Sequence, residues 1–167
     1  MLHYRALDAY YAPDGASHTD CGLLARRLKT EGDNGALVDE AARRLLPFLP
    51  RGCVVIPMPS HLGEPTYMGA VADRIRELRP DIVVSRCLGC RPHEGMYKSR
   101  KEERDVAAED LRMKARWWPC SKTPVVIDNV IASGATARAA EDALRKIGAE
   151  PSFLFLADDV TKEKLRY

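Results

Sequence analysis

Apolar positions along this chain switch repeatedly between two spacings, and each switch predicts a change of element. Four short runs are rich in β-branched or aromatic residues: Cys53 to Ile56, Ile82 to Ser85, Val125 to Ile127 and Phe153 to Leu156. Continuous apolar runs this short predict strands buried on both faces. Elsewhere apolar residues recur every three or four positions. Leu23, Leu24 and Leu28 predict a short helix capped by Thr19 or Asp20. Leu37, Val38, Ala41, Ala42, Leu45 and Leu46 predict a second, ended by Pro47 and Pro50. A third starts near Pro65, turns Met68, Val71, Ala72, Ile75 and Leu78 inward and stops at Pro80. The fourth runs from Ala137 to Ile147 with Ala140, Ala143, Leu144 and Ile147 on one face. Arg138, Glu141, Asp142, Arg145 and Lys146 lie elsewhere on it, and Gly148 supplies its stop.

Strand, helix and strand in this order imply right-handed parallel crossovers. The expected fold is therefore a doubly wound α/β domain, a mainly parallel sheet flanked by helices. Met1 to His18 read more weakly, as extended segments around a turn at Pro13, Asp14 and Gly15. A length of 167 residues suits one domain over 1–167, with 1–50 as an N-terminal hood with helices and 51–167 as the core.

Composition narrows the function classes. A net charge of +2 demands no polyanionic partner, so nucleic acid is not expected. No apolar run reaches membrane-spanning length, and the first residues lack a signal-peptide core. Five scattered cysteines, an odd number, suit a reducing cytoplasm better than a disulfide framework. The expected location is cytoplasmic.

Candidate chemistry gathers around one stretch. The run Val125 to Ile127 is followed by Asp128 and Asn129 where the strand is expected to end. A turn of small residues comes next, Ala132, Ser133, Gly134, Ala135 and Thr136, and then the fourth helix. Strand, small-residue turn and helix make an anion site, because unpaired N–H groups at the helix start point at the ligand. Gly134 permits close approach, while Ser133 and Thr136 add hydroxyl donors. A carboxylate just upstream would repel a bare phosphate, so Asp128 needs another task. Ribose hydroxyls, or a magnesium ion beside the phosphate, supply one.

The stretch from Pro124 to Thr136 resembles the diphosphate-sugar signature of type I phosphoribosyltransferases. The resemblance implies that Asp128 and Asn129 contact the ribose of phosphoribosyl diphosphate (PRPP), with magnesium near Asp128 directly or through water. It also implies that Ala132 to Thr136 cradle the 5-phosphate. The second acidic position is occupied by Asn129, which can hydrogen-bond a hydroxyl but brings no charge. Replacing Asn129 by aspartate is accordingly expected to raise turnover or magnesium affinity. Ala132 lacks the acid found at its position in the purine-salvage branch.

Ligands of such sheets bind beyond the carboxyl ends of the strands. Pro59, Ser60 and His61, after the first core strand, inherit the family's diphosphate-binding role by position. The long irregular stretch from Arg86 to Thr123 matches the family's mobile lid, whose candidate basic residues here are Lys98, Arg100, Lys101 and Arg104. The stretches Lys98 to Arg104, Leu24 to Gly32 and Ile56 to His61 look like the ComF-type branch. That branch commonly carries an N-terminal four-cysteine zinc ribbon, which this chain lacks.

Other constellations have simpler readings. Cys87 and Cys90 have metal-ligand spacing, with His93 nearby, but no second pair completes a structural zinc site. Asp158 and Asp159 read as a strand-end cap or as site-edge carboxylates. Trp117 and Trp118, beside Arg112, Lys114 and Arg116, suit burial under the lid or a homodimer contact better than stacking on a base. The resemblance implies a magnesium-dependent transfer of phosphoribosyl to or from a nitrogenous base. The alternative is a non-catalytic PRPP or nucleotide sensor, or a competence accessory, using the same pocket for binding alone.

Overall fold

A computed structural model describes residues 2–32, 34–93, 113–116 and 121–159. In chain order the elements are β1 (Tyr4–Ala9), α1 (Asp20–Thr30), α2 (Gly35–Leu45), a 3-10 turn (Leu46–Phe48), β2 (Val54–Pro57), α3 (Tyr67–Leu78) and β3 (Val83–Val84). A short ribbon follows, β4 (Leu88–Gly89) with β5 (Lys114–Ala115), and then β6 (Pro124–Ile131), α4 (Ala135–Arg145) and β7 (Ser152–Asp158). The main sheet has five strands in the order β1-β7-β6-β2-β3. All its pairings are parallel, and the ribbon is antiparallel.

Parallel strands between two helical layers must be apolar on both faces, and alternate residues of each strand divide between the layers. Val125 and Ile127 of β6, Val55 of β2 and Leu154 of β7 pack with Leu28, Leu45, Met68 and Ile75 of α1, α2 and α3. Val126, Val54, Ile56, Phe153 and Phe155 pack on the other side with Ala140 and Leu144 of α4 and with Leu88 of the ribbon. Fully buried leucines such as Leu28 and Leu45 each contribute roughly 1.5–3 kcal/mol relative to an exposed side chain. The doubly wound α/β fold expected from the sequence is the one observed.

Several boundaries differ from expectation for identifiable reasons. Residues 1–50, the expected hood with helices, supply β1 to the main sheet as its edge strand beside β7, and α1 and α2 pack onto the sheet. Helix α4 starts at Ala135 rather than Ala137, with Gly134 as its left-handed cap. Leu23 is exposed, on the outer side of α1. Glu141 is buried among the α4 contacts, where the Arg145 guanidinium lies 2.9 Å from its carboxylate. The expected strand Ile82 to Ser85 narrows to Val83–Val84, at the sheet's other edge.

The turn after β1 is fastened to α1 at close quarters. Thr19 caps the helix by accepting the Gly22 N–H at 3.0 Å, and its hydroxyl donates to the Ala9 carbonyl. A Cβ on Gly22 would stand 2.0 Å from the Tyr10 carbonyl oxygen, a backbone atom that cannot swing aside. Gly22→Ala should therefore cost about 1–3 kcal/mol through overpacking. Chemical denaturation checks this, and an unchanged midpoint would contradict the packing described.

Candidate active site

The sheet changes winding direction between β2 and β6, which are neighbours. From β2 the chain passes through α3 to β3 on one side; from β6 it passes through α4 to β7 on the other. Helices α3 and α4 pack on opposite faces, so the connections diverge and leave a gap at the carboxyl ends of β2 and β6. That gap is where open α/β sheets take their ligands. It brings together the loop after β2, the end of β6 and the start of α4, segments distant in sequence.

Asp128 lies at the edge of the gap, although not beyond the end of its strand. Strand β6 runs to Ile131 and stays paired with β7 through Ile131 and Asp158. Its pairing with β2, however, ends at Pro57 and Ile127. Asp128 is thus the first residue of β6 beyond its β2 partner. One carboxylate oxygen accepts the Asn129 N–H at 2.8 Å; among the described residues the other oxygen takes no hydrogen bond. Burial pushes the Asp128 carboxyl up to about 7, against smaller lowering by the Asn129 N–H and the positive charge of Lys29. Tyr67, at the start of α3, is also pushed up, by burial and then by the negative charge of Asp128. No sequence pattern singles out Lys29 and Tyr67, since nothing local links α1, α3 and β6. Gly32 marks the junction: a Cβ there would meet the Tyr67 side chain at 3.4 Å.

Asn129 faces a different environment. It is buried, 8% exposed, and its side-chain N–H donates to the Ala25 carbonyl of α1 at 3.2 Å. The amide nitrogen therefore ties β6 to α1. Only a donor serves a carbonyl at that position, which gives the amide a structural reason independent of any ligand.

Ala132, Ser133 and Gly134 form the turn, and Ala135 and Thr136 are the first residues of α4. Gly134 has φ 75° and ψ 2°, a left-handed conformation that glycine adopts at little cost. The Ser133 hydroxyl accepts the Ala135 N–H at 3.3 Å, and the first helical bond runs from the Arg138 N–H to the Gly134 carbonyl at 2.9 Å. Among the described residues, the N–H groups of Ser133, Gly134 and Thr136 make no hydrogen bond. Such groups at a helix start are donors for an anion.

The loop after β2 is a closed turn. The Met58 N–H donates to the Ile127 carbonyl at 3.0 Å, which holds the loop against β6. Pro59 is buried and has no N–H; the Ser60 N–H is committed to the Glu64 carbonyl at 2.9 Å. His61 is exposed, and its carbonyl accepts the His93 N–H at 2.9 Å. Of the three residues expected to meet diphosphate, His61 is the one whose side chain is open. The lid candidates Lys98, Arg100, Lys101 and Arg104 lie outside the described residues, as do Trp117 and Trp118.

Cys87 is buried and Cys90 lies beside the Ser60 carbonyl, 3.5 Å away; burial pushes both thiols up, away from the reactive thiolate. No group of three or more His, Cys, Asp or Glu side chains among the described residues could hold a metal by itself. Magnesium does not need one, since it is usually held by one or two carboxylates together with substrate phosphates and water. The open oxygen of Asp128 fits that role. Among the described residues, a cavity of about 280 Å³ lies between α1 and α2, and another of about 260 Å³ at the amino ends of β1, β6 and β7, both away from this gap. No helix among the described residues is long and apolar enough to cross a membrane.

No protein-family model and no curated protein matches this chain. Among solved structures it is similar to the UMP synthase of Leishmania donovani, with 19% sequence identity and a TM-score of 0.44. The match covers 86% of this chain and 27% of that one, so the chain spans about a quarter of that enzyme's length.

Proposed function

We propose that this chain is a phosphoribosyltransferase, binding PRPP across the gap between β2 and β6 and transferring its phosphoribosyl group to a nitrogenous base, or running the reverse. The carrying observation is the N–H groups of Ser133, Gly134 and Thr136, unbonded among the described residues and placed at the winding reversal beside Asp128. In this reading those groups take the 5-phosphate and Asp128 takes the ribose hydroxyls. The loop at His61 faces the diphosphate, and the basic residues Lys98, Arg100, Lys101 and Arg104, outside the described residues, are its further candidate partners.

The transfer breaks the bond between the anomeric carbon and the diphosphate oxygen and forms one to the base nitrogen, whose proton leaves to solvent. Positive charge develops on the ribose as negative charge gathers on the leaving group, as in other glycosyl transfers. An ionised Asp128 orients the sugar and places negative potential beside the developing cation. Asp128 would hold magnesium directly or through water, and the ion would supply positive charge against the departing diphosphate. No protein nucleophile is required.

A second reading, a PRPP-binding regulator or competence accessory without turnover, is favoured by one feature. The side-chain nitrogen of Asn129 is committed to the Ala25 carbonyl, so the pair 128–129 offers a single carboxylate. Diphosphate release with PRPP, magnesium and a panel of bases separates the readings. Base-dependent release is the expected result; tight PRPP binding with no release under any base would establish the second reading instead.

A further inference from the structure

We infer that the exposed side of α1 is a self-complementary interface, on which a second copy of this chain pairs antiparallel through Asp20, Leu23 and Arg27. The inference stands apart from the phosphoribosyl reading, because this side of α1 opens on the cavity shared with α2 and not on the gap between β2 and β6. Asp20, Leu23, Leu24 and Arg27 fall at positions i, i+3, i+4 and i+7, so they lie along one side of the helix. They line the cavity of about 280 Å³ opposite Leu37, Glu40 and Arg44 of α2. Leu24 and Leu37 are buried in it, whereas Leu23 stands at its rim, 46% exposed.

A single exposed leucine is ordinary on a protein surface. Here an acid and a base flank it symmetrically. Along the helix axis Asp20 lies about 5 Å before the midpoint of Leu23 and Leu24, and Arg27 about 5 Å beyond it. A two-fold axis through that midpoint reverses the helix and sets Asp20 level with the partner's Arg27, and Arg27 level with the partner's Asp20. The same patch then serves both copies, as a two-fold interface requires. The axis also brings each Leu23 to the mouth of the other copy's cavity, a ridge meeting a groove with an apolar lining. Both charges are available for this. Among the described residues Asp20 makes no ion pair. Arg27 binds Glu31 through Nε at 2.9 Å and Nη2 at 3.1 Å, which leaves Nη1 for a second carboxylate. Exposed ion pairs add little affinity, so these fix orientation and register while the leucines supply the apolar contact.

Sedimentation velocity of the full chain over a concentration series tests this. The wild type should pass from monomer to dimer as concentration rises. Leu23→Glu should weaken association by about a hundredfold or more, since the change enters the interface twice. Asp20→Arg and Arg27→Glu should each weaken it by about tenfold or more, because each sets like charges together on both sides of the axis. Mixed in equal amounts, these two variants should associate with one another as the wild type does, since an acid then meets a base at both places. All three positions are exposed, so the circular dichroism of each variant should match the wild type, and the mixed dimer itself reports that both charge variants fold. A wild type that stays monomeric throughout the series overturns the inference. A dimer of wild-type affinity in Leu23→Glu overturns it too, since the interface is then elsewhere. Folded charge variants that stay apart when mixed overturn the pairing of Asp20 with the partner's Arg27. None of these results bears on PRPP binding, so the functional reading stands or falls separately.

Discussion

Replacing Asn129 by aspartate should lower stability by about 3–5 kcal/mol at alkaline pH, the cost of an uncompensated buried charge. The change removes the N–H that serves the Ala25 carbonyl and sets a carboxylate against that oxygen, beside Asp128. In acid the effect should shrink, because the introduced carboxyl is then protonated and its O–H donates to the carbonyl in place of the native amide. The sign follows from linkage. The introduced acid has a folded pKa above its unfolded one, so its penalty is absent below the unfolded pKa and grows as pH rises. Urea denaturation at about pH 5 and about pH 8 checks this. Equal stability of variant and wild type at the higher pH would contradict the strut between β6 and α1. The resemblance implies a gain in turnover or magnesium affinity from the restored acid; the Ala25 contact adds a cost in stability to the same substitution.

Asp128→Ala should weaken PRPP binding in the presence of magnesium by roughly 1.5–3 kcal/mol, about tenfold to a hundredfold. In the wild type the affinity should also depend on pH. Burial raises the Asp128 carboxyl to about 7, and the ionised form is the one that holds magnesium and accepts from the ribose hydroxyls. Affinity should therefore rise as pH increases toward about 7 and level off above it. The ligand-free protein should show the reverse trend. Its native state keeps a proton that the unfolded chain releases, so the contribution of Asp128 to stability falls as pH rises from about 4 to about 7. Among the described residues, the titratable groups coupled to Asp128 are Lys29 on α1 and Tyr67 on α3. Asp128→Asn should flatten both trends. Parallel calorimetric and denaturation series across that range read them directly, and a wild-type affinity independent of pH would remove Asp128 from the ligand site.

Much of this architecture is legible in the sequence because burial imposes periodicity. Met68, Val71, Ala72 and Ile75 recur at helical spacing and form the buried face of α3. The apolar runs at Val54 and Val125 become neighbouring strands buried on both sides. Strand β1 is harder to read because it is an edge strand: Tyr4 and Arg5 are exposed, and its mixed pattern resembles a loop. The continuation of β6 to Ile131 is hidden for a related reason. Asp128 and Asn129 break the apolar run, yet backbone pairing with β7 carries the strand past them.

The candidate site divides in the same way. Asp128 and the turn at Gly134 are local in sequence, so their spacing reveals them. The contact from Asn129 to Ala25 joins residues 104 positions apart, and no local pattern encodes it. Lys29 and Tyr67 reach Asp128 only because two helices pack on the same face of the sheet.

The most direct measurement is a calorimetric titration of the full chain with PRPP and magnesium, alongside the same titration of Asp128→Ala. Saturable binding by the wild type at one site, weakened in the variant, is the predicted result. A wild-type chain that shows no heat of binding, or a variant that binds PRPP as tightly as the wild type, would contradict the proposal that the end of β6 holds a phosphoribosyl group.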